Sequence, residues 1–210
     1  MKYLHLVPWS PLGNFGGYET IIRSATEAQK KSGHTVFVIG RTFGEKNGVK
    51  ISQVNGVEYI EYVSSIKRRP STLSIGLVGY FLLFAEIFYT LYVLTPLVNK
   101  LINKEKIDVV IFYGIHLFPM SFWLRTKKVI TLLGLEVIQR NPYTSRLSFL
   151  YWFRKIKYNL FSGIHTYTHK FYFADGSVID NVSLLKSFVK PEKVSYIPWG
   201  IEIEKYEKIS

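Results

Sequence analysis

The sequence predicts an α/β protein built on a doubly wound, mostly parallel sheet. Three observations carry that expectation. An apolar run at residues 4–7 is followed by the glycine-rich turn GNFGGYET at 13–20 and a helical pattern from about Tyr18. Gly33 then ends the helix, and residues 35–39 open a second buried strand. From there strand-like runs alternate with helical stretches to the end of the chain, the order in which parallel sheets are wound.

The remaining elements follow in turn. Residues 41–56 are polar and contain glycine, which reads as a loop or small hairpin, and 57–63 alternate as a third strand. Residues 64–72 form a basic loop around Pro70. Residues 73–98 then carry a single charge, Glu86, and as one helix would run about 39 Å. Such a segment suits a long core-and-surface helix, a helix lying on a membrane or partner, or a transmembrane span. Gly76, Gly79 and Pro96 make it an imperfect helix. Further strands are expected at 108–113, 128–133, 171–174 and 194–197, with helices at 117–125, 144–166 and 177–188. No internal repeat or low-complexity stretch interrupts this order.

Composition narrows the chemistry. The 210 residues suffice for one large core, and the absence of cysteine excludes disulfides, thiol catalysis and cysteine metal sites. The five histidines, at 5, 34, 116, 165 and 169, show no His-Glu-x-x-His spacing. His165 and His169 form only an i, i+4 pair in an aromatic segment. Neither a metal nor another cofactor is therefore expected. Lys2 precedes a short apolar run that Pro8 and Pro11 interrupt, unlike a secretory signal, so a cytoplasmic location is expected.

The net charge of +12 calls for an anionic partner. Its placement favours a membrane surface. Lys67, Arg68 and Arg69 precede the apolar segment, and Lys100, Lys104 and Lys106 follow it. Within 146–157, Arg154 and Lys155 adjoin Phe149, Tyr151, Trp152 and Phe153, the mixture of an interfacial helix. No nucleic-acid module can be read, so nucleic acid is the less favoured partner.

In a doubly wound sheet, ligands bind beyond the carboxyl ends of the strands. Gly16 and Gly17 sit there, and without a Cβ they allow backbone N–H groups to approach a phosphate or sugar at a helix start. A tight strand-to-helix turn would ask for the same glycines. Glu19 lies in the first helical turn, where it either meets a ligand or favours the helix dipole. His116 follows a strand end. Gly134, Glu136 and Arg140 occupy another such loop, where a guanidinium fork suits a phosphate but a solvated Glu–Arg pair fits equally. Asp175 and Asp180 border the final helix. No Gly-x-Ser-x-Gly elbow, Walker loop or dinucleotide fingerprint occurs.

Taken together, four motifs resemble the family 4 glycosyltransferases of the GT-B fold. GGYET followed by GHTVFVIG is similar to that family's opening Gly-Gly-x-Glu loop and Gly-His-x-Val strand. LLGLEVIQR resembles its His-Gly-Leu-Glu loop, with Arg140 four residues beyond Glu136. FADGSVIDNVSLLKSF and VSYIPWGIE resemble the pattern before its last helix and the hinge into its second domain. The order is the family's, over nearly the whole chain. Leu133 stands where many relatives have a histidine that contacts the sugar.

The resemblance implies a Rossmann-like acceptor-binding N-terminal domain at 1–198 and the start of an interdomain hinge at 199–210, with the donor domain absent. It implies retaining, metal-free transfer from a nucleotide-diphosphate sugar, held by that missing domain, to a lipid-linked or glycan acceptor at the inner face of the membrane. Gly16, Gly17, Glu19, His116, Gly134, Glu136 and Arg140 would be its substrate-binding residues. Alone, the chain is expected to be inactive. The alternative is a non-catalytic membrane-bound module that binds an acceptor or recruits a separate catalytic subunit, as in split GT-B enzymes.

Overall fold

The computed structural model describes residues 1–13, 17–46, 48–64, 94–113, 126–132, 170–173 and 194–196, with residues 92, 120, 123 and 124. Its strands are β1 (Lys2–Leu6), β2 (Thr35–Phe43), β3 (Gly48–Val54), β4 (Val57–Ser64), β5 (Val109–Tyr113), β6 (Lys127–Leu132), β7 (Lys170–Phe173) and β8 (Val194–Tyr196). They form one sheet in the order β3-β4-β2-β1-β5-β6-β7-β8. All neighbours pair parallel except β3 with β4. The helices among the described residues are α1 (Gly17–Lys31) and α2 (Thr95–Glu105).

The strand order explains the double winding. From β1 the chain moves outward to β2, and after β4 it returns to place β5 on the other side of β1. Crossovers of one hand that travel in opposite directions must lie on opposite faces of the sheet. α1, which links β1 to β2, covers one face. Its Ile22 packs there with Val7, Val36, Val38, Val57, Tyr59 and Tyr113. On the other face Leu4, Leu6, Phe37, Ile39, Ile60, Val110 and Phe112 are buried, and α2, the link into β5, buries Thr95, Val98 and Ile102. Burial on both faces is why β1, β2 and β5 read as continuous apolar runs.

α1 presents a stripe at helical spacing. Glu19, Ile22 and Thr26 are buried and Gln29 follows on the same side. Lys30 and Lys31 stand in its last turn, where positive charge complements the helix dipole. The stop is set by Gly33 at φ 81°, with Gly33 N–H and His34 N–H bonded to the carbonyls of Lys30 and Gln29. His34 follows this turn, its ring edge-on to Tyr3 at 5.2 Å.

The stretch 41–56, read as a loop or small hairpin, instead holds the end of one strand and a single arm of a hairpin whose other arm is β4. β2 runs on to Phe43, and β3 pairs antiparallel with β4 from Gly48 opposite Val63 to Val54 opposite Val57. Asn55 and Gly56, at φ 51° and 76°, make the two-residue turn whose twist suits a hairpin. Gly56→Ala is expected to cost about 1–2 kcal/mol in urea denaturation, from the left-handed backbone alone. The added Cβ meets only the flexible end of Lys30, at 2.8 Å from Cε.

α2 revises only the far boundary of the segment expected at 73–98, because its helix runs past Val98 to Glu105. Pro96 stands in its first turn, where the missing N–H has no intrahelical partner to lose. Tyr92 and Leu94 form a π-helical lead-in. The helix closes at Lys106, left-handed at φ 53°, with its N–H on the Ile102 carbonyl. Residues 73–91 lie outside the described residues, as do the helices expected at 144–166 and 177–188. Among the described residues no helix is long and apolar enough to cross a membrane.

Candidate functional site

The strand order reverses between β1 and β5, and a crevice opens at the carboxyl ends of strands at such a switch point. The loop leaving β1 is fixed by its own backbone. Val7 N–H bonds to Ile39 O at 2.9 Å and Ser10 N–H to Arg41 O at 2.7 Å, so the chain tracks β2 beyond the end of β1. Pro8, which has no N–H to give, falls between these bonds. The Ser10 hydroxyl, buried, accepts from Leu12 N–H at 3.3 Å and turns the chain toward Gly13.

Gly17 is the first residue of α1, so its backbone belongs to the helix N-terminus that faces the crevice. Glu19 occupies the first turn and is 8% exposed. Gly17 and Glu19 are thus brought to one place, at the start of the helix that follows β1. Gly16, His116, Gly134, Glu136 and Arg140 lie outside the described residues, as does Leu133. Their strands end nearby, since β5 closes at Tyr113 beside β1 and β6 closes at Leu132 beside β5.

Two groups went unnoticed in the sequence. Trp9 carries the Arg41 guanidinium over its ring at 5.4 Å from the centroid. Both are half-buried at the carboxyl edge of the sheet, where a planar cation and an indole suit a phosphorylated or sugar ligand. The second group is a buried hydrogen-bonded chain. His5, fully buried in β1, places Nε2 2.7 Å from Gln29 Oε1 and Nδ1 2.9 Å from the Tyr113 hydroxyl. An amide oxygen can only accept, so Nε2 carries the proton and Tyr113 O–H donates to Nδ1.

Desolvation in the core dominates there and lowers the His5 pKa to about 4, although the Gln29 bond works against it. Burial likewise pushes Tyr113 up. The chain of three is neutral, and it ties α1 to the last residue of β5. Its signal was too weak to read, since a single histidine in an apolar strand has no local partner.

Among the described residues no group of three His, Asp or Glu side chains could hold a metal ion. The described residues at the carboxyl edge of the sheet offer backbone N–H groups at a helix start, one buried carboxylate and an Arg–Trp pair. That set can bind and orient an anionic or hydroxyl-rich ligand.

No family model matches the sequence, and no curated protein does. Solved structures do resemble the fold. Sucrose-phosphate synthase from Thermosynechococcus elongatus superposes with a TM-score of 0.65 at 13% identity, over 97% of this chain and 49% of its own. Trehalose-6-phosphate synthase from E. coli, bound with UDP-2-fluoro glucose, gives 0.58 at 14% identity over 98% and 50%. A glycosyltransferase from Rickettsia africae gives 0.50 at 16% identity over 98% and 45%. The chain spans about half the length of each. At these identities the likeness is one of fold, and the fold is the doubly wound, Rossmann-like half of a GT-B glycosyltransferase.

Proposed function

We propose that the chain is the acceptor-binding half of a retaining glycosyltransferase, moving a sugar from a nucleotide-diphosphate sugar to a membrane-associated acceptor. The observation that carries this reading is the start of α1. It sets Gly17 and Glu19 at the switch point of a sheet whose fold is shared with half of sugar-transferring enzymes. In the reaction, the bond from the anomeric carbon to the diphosphate oxygen breaks. A bond to the acceptor oxygen forms on the same face, and the acceptor proton leaves with the diphosphate.

Positioning and stabilisation of the leaving diphosphate suffice for such a step. Gly16 and Gly17 approach the acceptor or diphosphate, and Glu19, His116, Gly134, Glu136 and Arg140 line the cleft. The donor is held by a second α/β domain. The part of 73–98 that precedes α2 and the basic aromatic stretch 146–157 dock on lipid, holding the protein at the cytoplasmic face of the membrane. Leu133, lacking the imidazole of many relatives, alters the contact to the sugar.

The test is release of nucleoside diphosphate by the protein that contains this chain together with its donor domain, supplied with nucleotide sugar and membrane lipid. Gly17→Val is expected to slow release about 100-fold, the scale set by a small misplacement of reacting groups. The melting temperature should hold. No release with any common nucleotide sugar sinks the reading.

A second reading keeps the same acceptor site but assigns no transfer to this chain. Here the chain is a non-catalytic, membrane-bound module that binds the acceptor or recruits a separate catalytic subunit. Release that appears only on mixing with that separate chain would select it.

A further inference from the structure

We propose that the chain pairs with a second copy of itself along the outer edge of β3, the two sheets joining antiparallel about a two-fold axis at Ile51. β3 is the terminal strand of the sheet, and among the described residues no strand pairs with its outer side. The Asn55-Gly56 turn fixes which backbone groups that side carries. A two-residue turn makes Val54 and Val57 a hydrogen-bonded pair, and such pairs alternate along the ladder. Val54, Ser52, Lys50 and Gly48 therefore direct their N–H and C=O groups toward β4. Val49, Ile51 and Gln53 direct theirs outward.

Proteins usually guard such an edge with proline, a bulge or an outward charge. This strand has no proline, and its three outward positions carry no charge. The single charge, on Lys50, is drawn back across the sheet to Glu61, with Nζ 3.8 Å from Oε2. Val49 and Ile51 share a face and are 54% and 64% exposed. The edge is thus both open and apolar on one side.

Self-pairing has one favoured register. With the axis at Ile51, Ile51 faces Ile51 of the second copy and Val49 faces its Gln53. Each of these pairs exchanges two backbone hydrogen bonds, because the outward residues are the ones that meet. Lys50 then lies opposite Ser52. Moving the axis to Lys50 would set two ammonium groups directly opposite, which destabilises a sheet. The same seven residues read in reverse are therefore their own complement, the requirement of a two-fold interface. β4 and β2 separate β3 from β1, so the crevice at the switch point stays open. The pairing is independent of sugar transfer.

Sedimentation equilibrium of the 210-residue chain over a concentration series tests the pairing. The expected mass rises to twice the 24.4 kDa of one chain. Ile51→Lys places like charges across the axis and is expected to return it to one chain. Its circular dichroism and melting should be unchanged, since the Ile51 side chain stands in solvent. The sequence has no cysteine, so Ile51→Cys provides the only thiol. Facing hydrogen-bonded residues lie about 5.5 Å apart at Cα, within reach of a disulfide. Oxidised glutathione should therefore give a covalent dimer of Ile51→Cys far faster than of Val49→Cys, whose counterpart lies four residues along the partner strand. A single-chain mass at every concentration, a dimer that survives Ile51→Lys, or equal cross-linking of the two cysteine variants overturns the proposal.

Discussion

Gly40→Ala is expected to lower stability by about 1–3 kcal/mol in urea or guanidinium denaturation, the range of an overpacked core. Gly40 lies in β2 opposite Glu61, on the face covered by α1. Its backbone is ordinary, so no strain attaches to φ. The cost comes from space. A Cβ there would stand 2.7 Å from Val7 Cγ2 and 2.9 Å from both the N and Cα of Ser10. The valine methyl can rotate away, but the Ser10 backbone cannot, because its N–H is held by the Arg41 carbonyl.

The added methyl must therefore push the loop off β2 and weaken that bond. Leu12 and Gly13 follow Ser10 directly, so the displacement travels toward the start of α1 and the crevice. Gly13→Ala is the matching control. Its Cβ would find only Thr42 Oγ1, at 3.9 Å, so its change in stability should stay within about 0.5 kcal/mol. Equal losses in the two variants would mean that the loop tolerates the shift and that Gly40 does not hold it.

That contrast shows what could be read from the chain and what could not. β1, β2, β4 and β5 were legible because burial on two faces leaves an unbroken or alternating apolar run, a local signal. Gly17 and Glu19 were legible for the same reason, since a strand, a glycine turn and a helix start lie within a few residues. β3 was half hidden, because an edge strand such as GVKISQV mixes polar and apolar side chains as a loop does. α2 was concealed by its neighbours. The apolar run before it and the proline inside it both suggested an ending where a helix begins. Gly40 and Ser10 meet through a fold-level approach thirty residues apart, which no local pattern announces.

The His5 chain was hidden by the same distance, its partners standing 24 and 108 residues away, and it makes stability depend on pH. An unfolded histidine titrates near 6.5, whereas burial holds His5 at about 4 in the folded protein. The folded value is depressed. Its stabilising contribution is therefore complete above pH 6.5 and is lost as pH falls toward 4, where the unfolded chain takes up a proton that the core refuses. The loss across that window is about 3 kcal/mol from this residue.

His5→Gln should flatten the window, since an amide carries no proton to exchange, while keeping an acceptor for Tyr113 and a donor for Gln29. At pH 8 it should cost only about 1–2 kcal/mol. His5→Phe should cost more there, because the Tyr113 hydroxyl and the Gln29 amide oxygen lose their buried partner together. Tyr113→Phe in that background removes the hydroxyl that His5 no longer meets, so the double variant should be more stable than the two separate losses predict. Urea denaturation at pH 4, 5, 6.5 and 8 reads all five proteins, Tyr113→Phe alone included. If wild type and His5→Gln fall in parallel between pH 6.5 and 4, the acid sensitivity belongs to other groups, and His5 is not the neutral buried link between α1 and β5 that its geometry describes.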